Sequence, residues 1–270
     1  MKTCYYYFPI EPLLEHYKDD GTEEPIVDIP VQKDDKIYNV SLFAINQLPY
    51  LIRISIPKIE NETLSDDDMQ VVQMLKEHMV SLLKTNYNPE IEQSIASFQK
   101  FIDENKPPSL NLEIKKQLSK DYKLDFENLR MVFYKSFPIR NETRLLADAT
   151  NKKIPLQYRF LSLYKLLELE FKRRGEWTAE YDIFLKRFEE DYTKRNFSRI
   201  KIKGYIEDLR SKCAHVKTNK DIIGVTQLSN KDMVEVQIFH EFLFNLCVNL
   251  FSEKHKDKIK IEKGAHVWLD

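Results

Sequence analysis

The stretch LQYRFLSLYKLLELEF, residues 156–171, predicts one long amphipathic helix and indicates that the second half of the chain is all-α. Its apolar residues recur about every three to four positions, which places them on one helix face. This face holds Leu156, Phe160, Leu163, Tyr164, Leu167 and Phe171. Gly175 follows shortly afterwards, and we expect it to end the helix because glycine is favoured just beyond helix C-termini.

Further helices are predicted along the rest of this half. The second runs from Ala179 to Tyr192, and the last starts near Ser229 or Asn230 and continues through Leu250. Between them, a third helix carries an apolar face made of Ile202, Ile206, Leu209 and Cys213. Helices of this kind bury their apolar faces against one another, so we expect a helical bundle.

The first half of the chain shows strands followed by a helix. The segments IVDIPVQ (26–32), IYNVSLFAI (37–45) and YLIRISIPK (50–58) are rich in β-branched and aromatic residues. Ser65 followed by aspartates at 66–68 predicts a helix N-terminus, and LRMVFYKSF (129–137) suggests another strand. We therefore predict an α+β fold, with a β-rich α+β domain over residues 1–147 and an all-α bundle over residues 148–270 that ends in a basic tail.

Charge is divided unevenly along the chain. Residues 1–100 hold 9 Lys+Arg against 17 Asp+Glu, a net −8, whereas residues 151–220 hold 18 against 10, a net +8. A basic surface raises the local concentration of a polyanion, and nucleic acid is the obvious candidate. The alternative is that these lysines and arginines only solvate helix faces. Charge alone leaves both interpretations open.

Several classes of protein are disfavoured. No stretch approaches the roughly 18 apolar residues that cross a membrane, and the N-terminus lacks a secretory signal, so we expect a soluble cytoplasmic protein. The 5 scattered glycines offer no phosphate-binding loop.

Cys4, Cys213 and Cys247 lie far apart and are expected to be buried thiols. The histidines lack metal-ligand spacing, and His240, among Phe and Leu, is typical of a core residue, so no metal or cofactor is predicted.

The segment YIEDLRSKCAHVK (205–217) places Arg210 and His215 near the end of the third helix, in the basic stretch. A histidine titrates near neutral pH and can exchange a proton with an RNA 2′-hydroxyl or a leaving oxygen. A guanidinium can bind phosphate through two hydrogen bonds and offset developing charge. The pair therefore suits metal-independent RNA cleavage. The alternative is an ion-paired arginine and a histidine that complements the helix dipole.

Helical geometry places a condition on this pair. On an uninterrupted α-helix, five residues correspond to about 500°, so the two side chains point about 140° apart. Either the helix bends or frays between Arg210 and His215, or two copies of the bundle pair so that both residues of both protomers surround one cleft. The second arrangement makes dimerisation a requirement for activity.

The region from Asp148 to Glu253 resembles the HEPN domain family, whose signature is Arg-x4-6-His on a compact four- or five-helix bundle. The segment LRSKCAH carries the motif, and YRFLSLYKLLELEF resembles the first helix of HEPN proteins of the methylamine-utilisation accessory and phage-defence types. The resemblance implies a dimeric, metal-independent endoribonuclease that leaves a 2′,3′-cyclic phosphate, in antiviral defence or as a toxin. By position, Arg210 would bind and polarise the scissile phosphate, and His215 would transfer the proton.

Other residues are candidates for supporting roles. The family frequently has Asn, Asp or His directly after the arginine, where this chain has Ser211. Glu168, on the first helix, could orient His215 or contact Arg210 across the bundle, although a solvated glutamate is the commoner outcome. Contacts with RNA phosphate are predicted for Lys203, Lys212 and Lys217.

The predicted partners are RNA, a second copy of the chain paired through the bundle, and a protein partner or trigger at the N-terminal domain. The main alternative function is a non-catalytic HEPN-like module that dimerises or binds nucleic acid or protein. An accessory subunit of a metabolic or redox assembly is a weaker third hypothesis. Cleavage of RNA in the presence of EDTA separates the first function from the others.

Overall fold

The computed structural model describes residues 2–11, 17–19, 24–45, 48–59, 63–87, 91–93, 97–103, 112–114, 126–214 and 230–254. These residues form an α+β structure, with an antiparallel sheet in the first part and helices in the second. The chain divides into two compact units, an N-terminal unit of Met1–Arg144 and a C-terminal unit of Leu145–Asp270. The predicted domain boundary lies after residue 147.

The N-terminal unit is built on a sheet in which every pairing is antiparallel. Its strands are β1 (Lys2–Glu11), β2 (Tyr17–Asp19), β3 (Val27–Lys33), β4 (Lys36–Ile45), β5 (Leu48–Ile59), β6 (Glu92–Gln93), β7 (Phe98–Asp103) and β8 (Leu112–Ile114). The sheet has the order β3-β4-β5-β1, and β6 and β7 both pair with the other edge of β1. β2 and β8 form a separate ribbon.

The strands predicted over 26–58 are confirmed as β3, β4 and β5. On β3, Val27 and Ile29 are buried while Asp28 is exposed, the pattern of a strand with one face on a core. The register places Val40 of β4 between Ile29 of β3 and Ile54 of β5. All three side chains are buried, so they form one apolar row across the sheet.

Helix α1 (Asp66–Asn86) follows the strands, as predicted. Ser65 is its N-cap, and Ser65 Oγ accepts a hydrogen bond from the Asp68 amide at 3.0 Å. The buried Asp68 carboxylate accepts hydrogen bonds from Lys36 at 2.8 Å and from the Tyr38 hydroxyl at 2.7 Å. Burial alone would raise the pKa of Asp68, but these hydrogen bonds and that from Ser65 lower it to about 2. Asp68 thus ties the first turn of α1 to β4.

The prediction of a strand over residues 129–137 is wrong. These residues belong to α2 (Phe126–Ser136), which a 3-10 turn (Phe137–Ile139) connects to α3 (Arg140–Thr150). Leu129 and Phe133, one helical turn apart, are buried, whereas Met131 and Tyr134 are exposed. The apolar residues therefore follow a helical period, and packing of α2 against β3 outweighs their β propensity.

The C-terminal unit contains α4 (Leu156–Phe171), β9 (Lys172–Arg173), β10 (Glu176–Trp177), α5 (Ala179–Lys186), α6 (Glu189–Lys194), α7 (Arg199–Ala214) and α8 (Asn230–Lys254). Helix α4 packs against α7 and α8. Its predicted face is confirmed, with Leu156 half-buried and the other members buried: Phe160, Leu163, Tyr164, Leu167 and Phe171.

Gly175 does not end α4, contrary to the prediction. The helix ends at Phe171, and the chain continues directly into β9, which pairs with β10. Arg174 and Gly175 form the two-residue turn between these strands, with φ of 53° and 88°. Positive φ at both positions is typical of a tight hairpin turn, so the conformational freedom of Gly175 serves the hairpin.

The helix predicted from Ala179 to Tyr192 is two helices, α5 and α6. At the break, the amides of Arg187 and Phe188 donate to the carbonyls of Phe184 and Leu185, three residues earlier. This tightened turn interrupts the α-helical ladder and lets Phe188 begin the next helix.

Buried polar groups of the C-terminal unit are consistent with a packed core. His240 on α8 is buried with Nε2 at 3.0 Å from the Ala149 carbonyl oxygen, which confirms the prediction of a core histidine. Cys213 and Cys247 are buried here, as Cys4 is in the N-terminal unit. Among the residues that the structure describes, no helix has the length and apolar character needed to span a membrane.

Candidate functional site

Helix α7 positions the predicted arginine. Its buried residues, Ile202, Ile206, Leu209 and Cys213, are spaced by three or four and anchor one side of the helix in the bundle. Arg210 directly follows Leu209, so it lies at the margin of this buried face and is half-buried. The helix continues without interruption from Arg199 to Ala214.

Arg210 differs in its contacts from the two half-buried lysines of the same helix. Its guanidinium carbon lies 5.7 Å from the ring centroid of Tyr164 on α4. Within residues 145–214 and 230–254, no carboxylate lies at ion-pair distance from it. By contrast, Lys203 pairs with Asp182 at 3.1 Å, and Lys212 pairs with Asp208 at 3.1 Å. The hydrogen-bond donors of Arg210 are therefore not taken up by an acid of the described chain.

A polar cluster surrounds the same tyrosine. The Tyr164 hydroxyl donates to Glu207 of α7 at 2.8 Å and accepts from Lys172 at 2.8 Å. Lys172 also pairs with Glu207 at 3.1 Å, and the Trp177 indole donates to Glu207 at 2.6 Å. The β9–β10 hairpin brings Lys172 and Trp177 to this point because it folds back immediately after α4.

The charge states of this cluster are fixed near neutral pH. Burial raises the pKa of Tyr164 to about 12, so its hydroxyl stays protonated. Burial alone would lower the pKa of Lys172, but hydrogen bonds with Tyr164, Glu207 and Glu168 raise it above its ordinary value. The pKa of Glu207 is lowered, because hydrogen bonds from Tyr164, Lys172 and Trp177 outweigh its burial. These groups can orient and neutralise, but they are unsuited to exchanging protons at pH 7.

Glu168, for which a contact with Arg210 or His215 was one possibility, pairs with lysines in the described part of the chain. Its carboxylate pairs with Lys165 and Lys172, each at 3.2 Å, because these lysines lie three residues before and four residues after it. Glu168 and Arg210 are linked only indirectly, through Lys172 and Tyr164.

The other predicted residues lie partly on α7 and partly outside the described residues. Ser211 is exposed next to Arg210, and Lys203 and Lys212 are half-buried and ion-paired. His215 and Lys217 lie outside the described residues. The structure therefore gives the position of the predicted arginine but not its distance from the predicted histidine.

Sequence reasoning missed Lys172, Trp177 and Glu207. The signal that could have found the first two is the segment KRRGEW (172–177), in which a residue followed by glycine lies between extended residues, as in a two-residue hairpin. Glu207 carries no such signal, because its role depends on the packing of α7 against α4.

Comparisons of this chain with protein-family models, with curated proteins and with solved structures found no match.

Proposed function

We propose that the chain is a metal-independent endoribonuclease of the HEPN type, with Arg210 and His215 at a cleft shared by two copies. The observation that carries the proposal is the half-buried guanidinium of Arg210, which lacks a carboxylate partner among the described residues, whereas Lys203 and Lys212 of the same helix are paired. Such a guanidinium is available to bind a phosphate through two hydrogen bonds.

The proposed reaction is an internal transesterification of RNA. The 2′-hydroxyl oxygen attacks the adjacent phosphorus while His215 takes its proton. The bond from phosphorus to the 5′-oxygen breaks, and that oxygen takes up a proton from the imidazolium of His215, which returns the histidine to its neutral form. Arg210 stabilises the charge that develops on the phosphate oxygens. The products are a 2′,3′-cyclic phosphate and a 5′-hydroxyl, and the step requires no metal ion.

Two copies are needed for geometric reasons. Helix α7 is continuous from Arg210 to Ala214, which favours pairing of two copies over a distortion of the helix within these residues. If the helical direction is kept to position 215, the two side chains of one copy point about 140° apart. A two-fold axis near the end of α7 would bring arginine and histidine of both copies together. The biological setting we propose is antiviral defence or toxicity by RNA cleavage.

The test is cleavage of RNA in EDTA by the full chain and by His215→Ala. We expect cleavage by the wild-type chain and loss of at least about 100-fold in the variant, because its proton-transferring group is gone. Lys201→Ala is the matched control, since Lys201 is an exposed cation on the same helix. Equal cleavage by wild type and His215→Ala, with both folded by circular dichroism, would contradict the proposal.

A second candidate is an RNA-binding module that does not cut. It is favoured by the fixed charge states around Arg210, because none of the described groups in the Tyr164 cluster titrates near neutral pH. Under this alternative, RNA stays intact in EDTA but its binding is weakened by Arg210→Ala and not by Lys201→Ala.

A further inference from the structure

The N-terminal unit contains a cleft that the proposed ribonuclease site does not use. Its volume is about 730 Å³, and it is lined by residues of β1, of α1 and of the start of α3. Small-molecule sites typically have volumes of about 300–1,000 Å³. The cleft is therefore large enough for a nucleotide-sized compound.

A buried lysine lies in the wall of this cleft. Lys76 of α1 is only 8% exposed, and its ammonium group donates to the Gln73 side-chain oxygen at 2.5 Å and lies 5.6 Å from the ring centroid of Phe8. No carboxylate of the described residues lies at ion-pair distance from it. Burial of an ammonium without an ion pair is unfavourable, and burial lowers the pKa of Lys76 although the charge of the neighbouring Glu77 acts in the opposite direction. An anion bound in the cleft would remove this cost.

Two arginines at the start of α3 add to the positive charge. Arg140 donates to the Phe137 carbonyl at 3.3 Å, and it has no carboxylate partner in the described part of the chain. Arg144 donates to Glu77 at 2.6 Å, so the charge of this acidic wall residue is offset. The cleft thus holds two cations, Lys76 and Arg140, that form no ion pair with an acid of the described residues.

A buried histidine in the same wall lacks one hydrogen bond. His78 is 2% exposed, and its Nε2 lies 3.1 Å from the Phe133 carbonyl oxygen. Ser136 Oγ also lies 3.1 Å from Nε2. Nδ1 has no partner within the described residues and is closed to solvent, so a ligand in the cleft cannot reach it. His78 therefore contributes a buried ring, packed on Phe133, and not a hydrogen bond to a ligand.

The rest of the wall suits a flat apolar group. Tyr6 and Phe8 project from the same face of β1, with nearly parallel rings whose centroids are 5.8 Å apart, and both line the cleft. Met69 and Met74 add polarisable apolar surface. A planar base can stack on such aromatic rings whatever its sequence identity.

We propose that this cleft binds a mononucleotide, with its phosphate on Lys76 and Arg140 and its base on the wall made by Tyr6 and Phe8. A phosphate and a planar apolar group are the two features that these residues favour in one ligand. The proposal is independent of RNA cleavage by the C-terminal unit, because its test is a binding measurement.

The test is calorimetric titration of the full chain with AMP, GMP, CMP and UMP. At least one nucleotide should bind, and the matching nucleoside and inorganic phosphate should each bind at least about tenfold more weakly. Lys76→Met should weaken binding by about tenfold or more, yet leave the melting temperature of the free protein unchanged or raised, because it removes a buried charge that lacks a counter-ion. A purely structural lysine would instead lower the melting temperature on removal.

Arg140→Gln is a second variant and should also weaken binding by about tenfold. Lys135→Met is the control, because Lys135 is an exposed cation of α2 that does not line the cleft. If Lys76→Met does not fold, Arg140→Gln decides alone. The proposal is overturned if none of the four nucleotides binds at about 1 mM. It is also overturned if both variants bind like wild type, or if phosphate alone binds as tightly as the best nucleotide.

Discussion

Replacing Arg210 by alanine separates the role of this side chain in folding from its proposed role in cleavage. The contact that the structure shows for its guanidinium is the Tyr164 ring, at 5.7 Å. For a partly exposed pair, such a cation–π contact contributes about 0.5–1 kcal/mol. No ion pair within the described residues is lost, and alanine is a good helix former. We therefore expect the free energy of unfolding to fall by less than about 1 kcal/mol.

The expected effect on cleavage is much larger. Loss of one group that stabilises transition-state charge typically lowers kcat by about 10²–10³, or roughly 2.7–4 kcal/mol. The assay pairs urea denaturation with single-turnover cleavage of RNA in EDTA, with Lys201→Ala as control. The reasoning is refuted if Arg210→Ala loses about 3 kcal/mol of stability, which would make the residue structural, or if its cleavage rate stays within about threefold of wild type.

Three further predictions concern the structure around the site and in the N-terminal unit. The pKa of Asp68 is lowered from 3.8 to about 2 in the folded state, so its charge stabilises the fold by about 2 kcal/mol above pH 3.8, and this contribution is lost as the pH falls towards 2. In Asp68→Asn, the free energy of unfolding measured by urea denaturation should therefore fall less steeply between about pH 4 and pH 2 than in wild type. Gly175→Ala should lower the free energy of unfolding by about 1 kcal/mol because φ there is +88°, whereas Gly204→Ala in α7 should raise it by about 0.5–1 kcal/mol. The two variants should shift the melting temperature in opposite directions, and equal shifts would contradict the turn geometry. Lys172→Met should destabilise the protein by about 1–3 kcal/mol, because it removes the donor shared by Tyr164, Glu168 and Glu207. Lys165→Met is the control, and thermal melts should show a change of no more than about 0.5 kcal/mol because its ion pair is exposed.

Local pattern was sufficient for much of the fold. The apolar period of 156–171 predicted α4, because one face of this helix is buried and the other is not. The β-branched and aromatic residues of 26–58, separated by polar turns, predicted β3, β4 and β5. The Ser65 cap of α1 was equally readable, since it depends on residues adjacent in sequence.

Elements that depend on contacts with distant parts of the chain were not predicted from the sequence. β1 pairs with β5, β6 and β7, which are all distant from it in sequence, so its place in the sheet depends on long-range contacts. Segment 129–137 has strand-forming residues, yet its packing against β3 makes it helical. Neither fact can be derived from neighbouring residues alone.

The candidate site divides in the same way. The position of Arg210 beside the buried Leu209 follows from helical periodicity, and it was predicted. The surroundings of Arg210 were not, because Lys172 and Glu207 meet at Tyr164 only after the hairpin turns and α7 packs against α4. The isolation of Arg210 from the described carboxylates is likewise a property of the packed bundle.

The account rests on a composite site made by Arg210 and His215 of two copies. The most direct measurement is a crystal structure of the dimer with an RNA analogue that lacks the reactive 2′-hydroxyl. We predict that the guanidinium and imidazole groups of both copies surround one phosphate, with hydrogen-bond distances of about 2.7–3.2 Å. A dimer in which Arg210 and His215 lie on opposite surfaces, with no phosphate between them, would contradict the account.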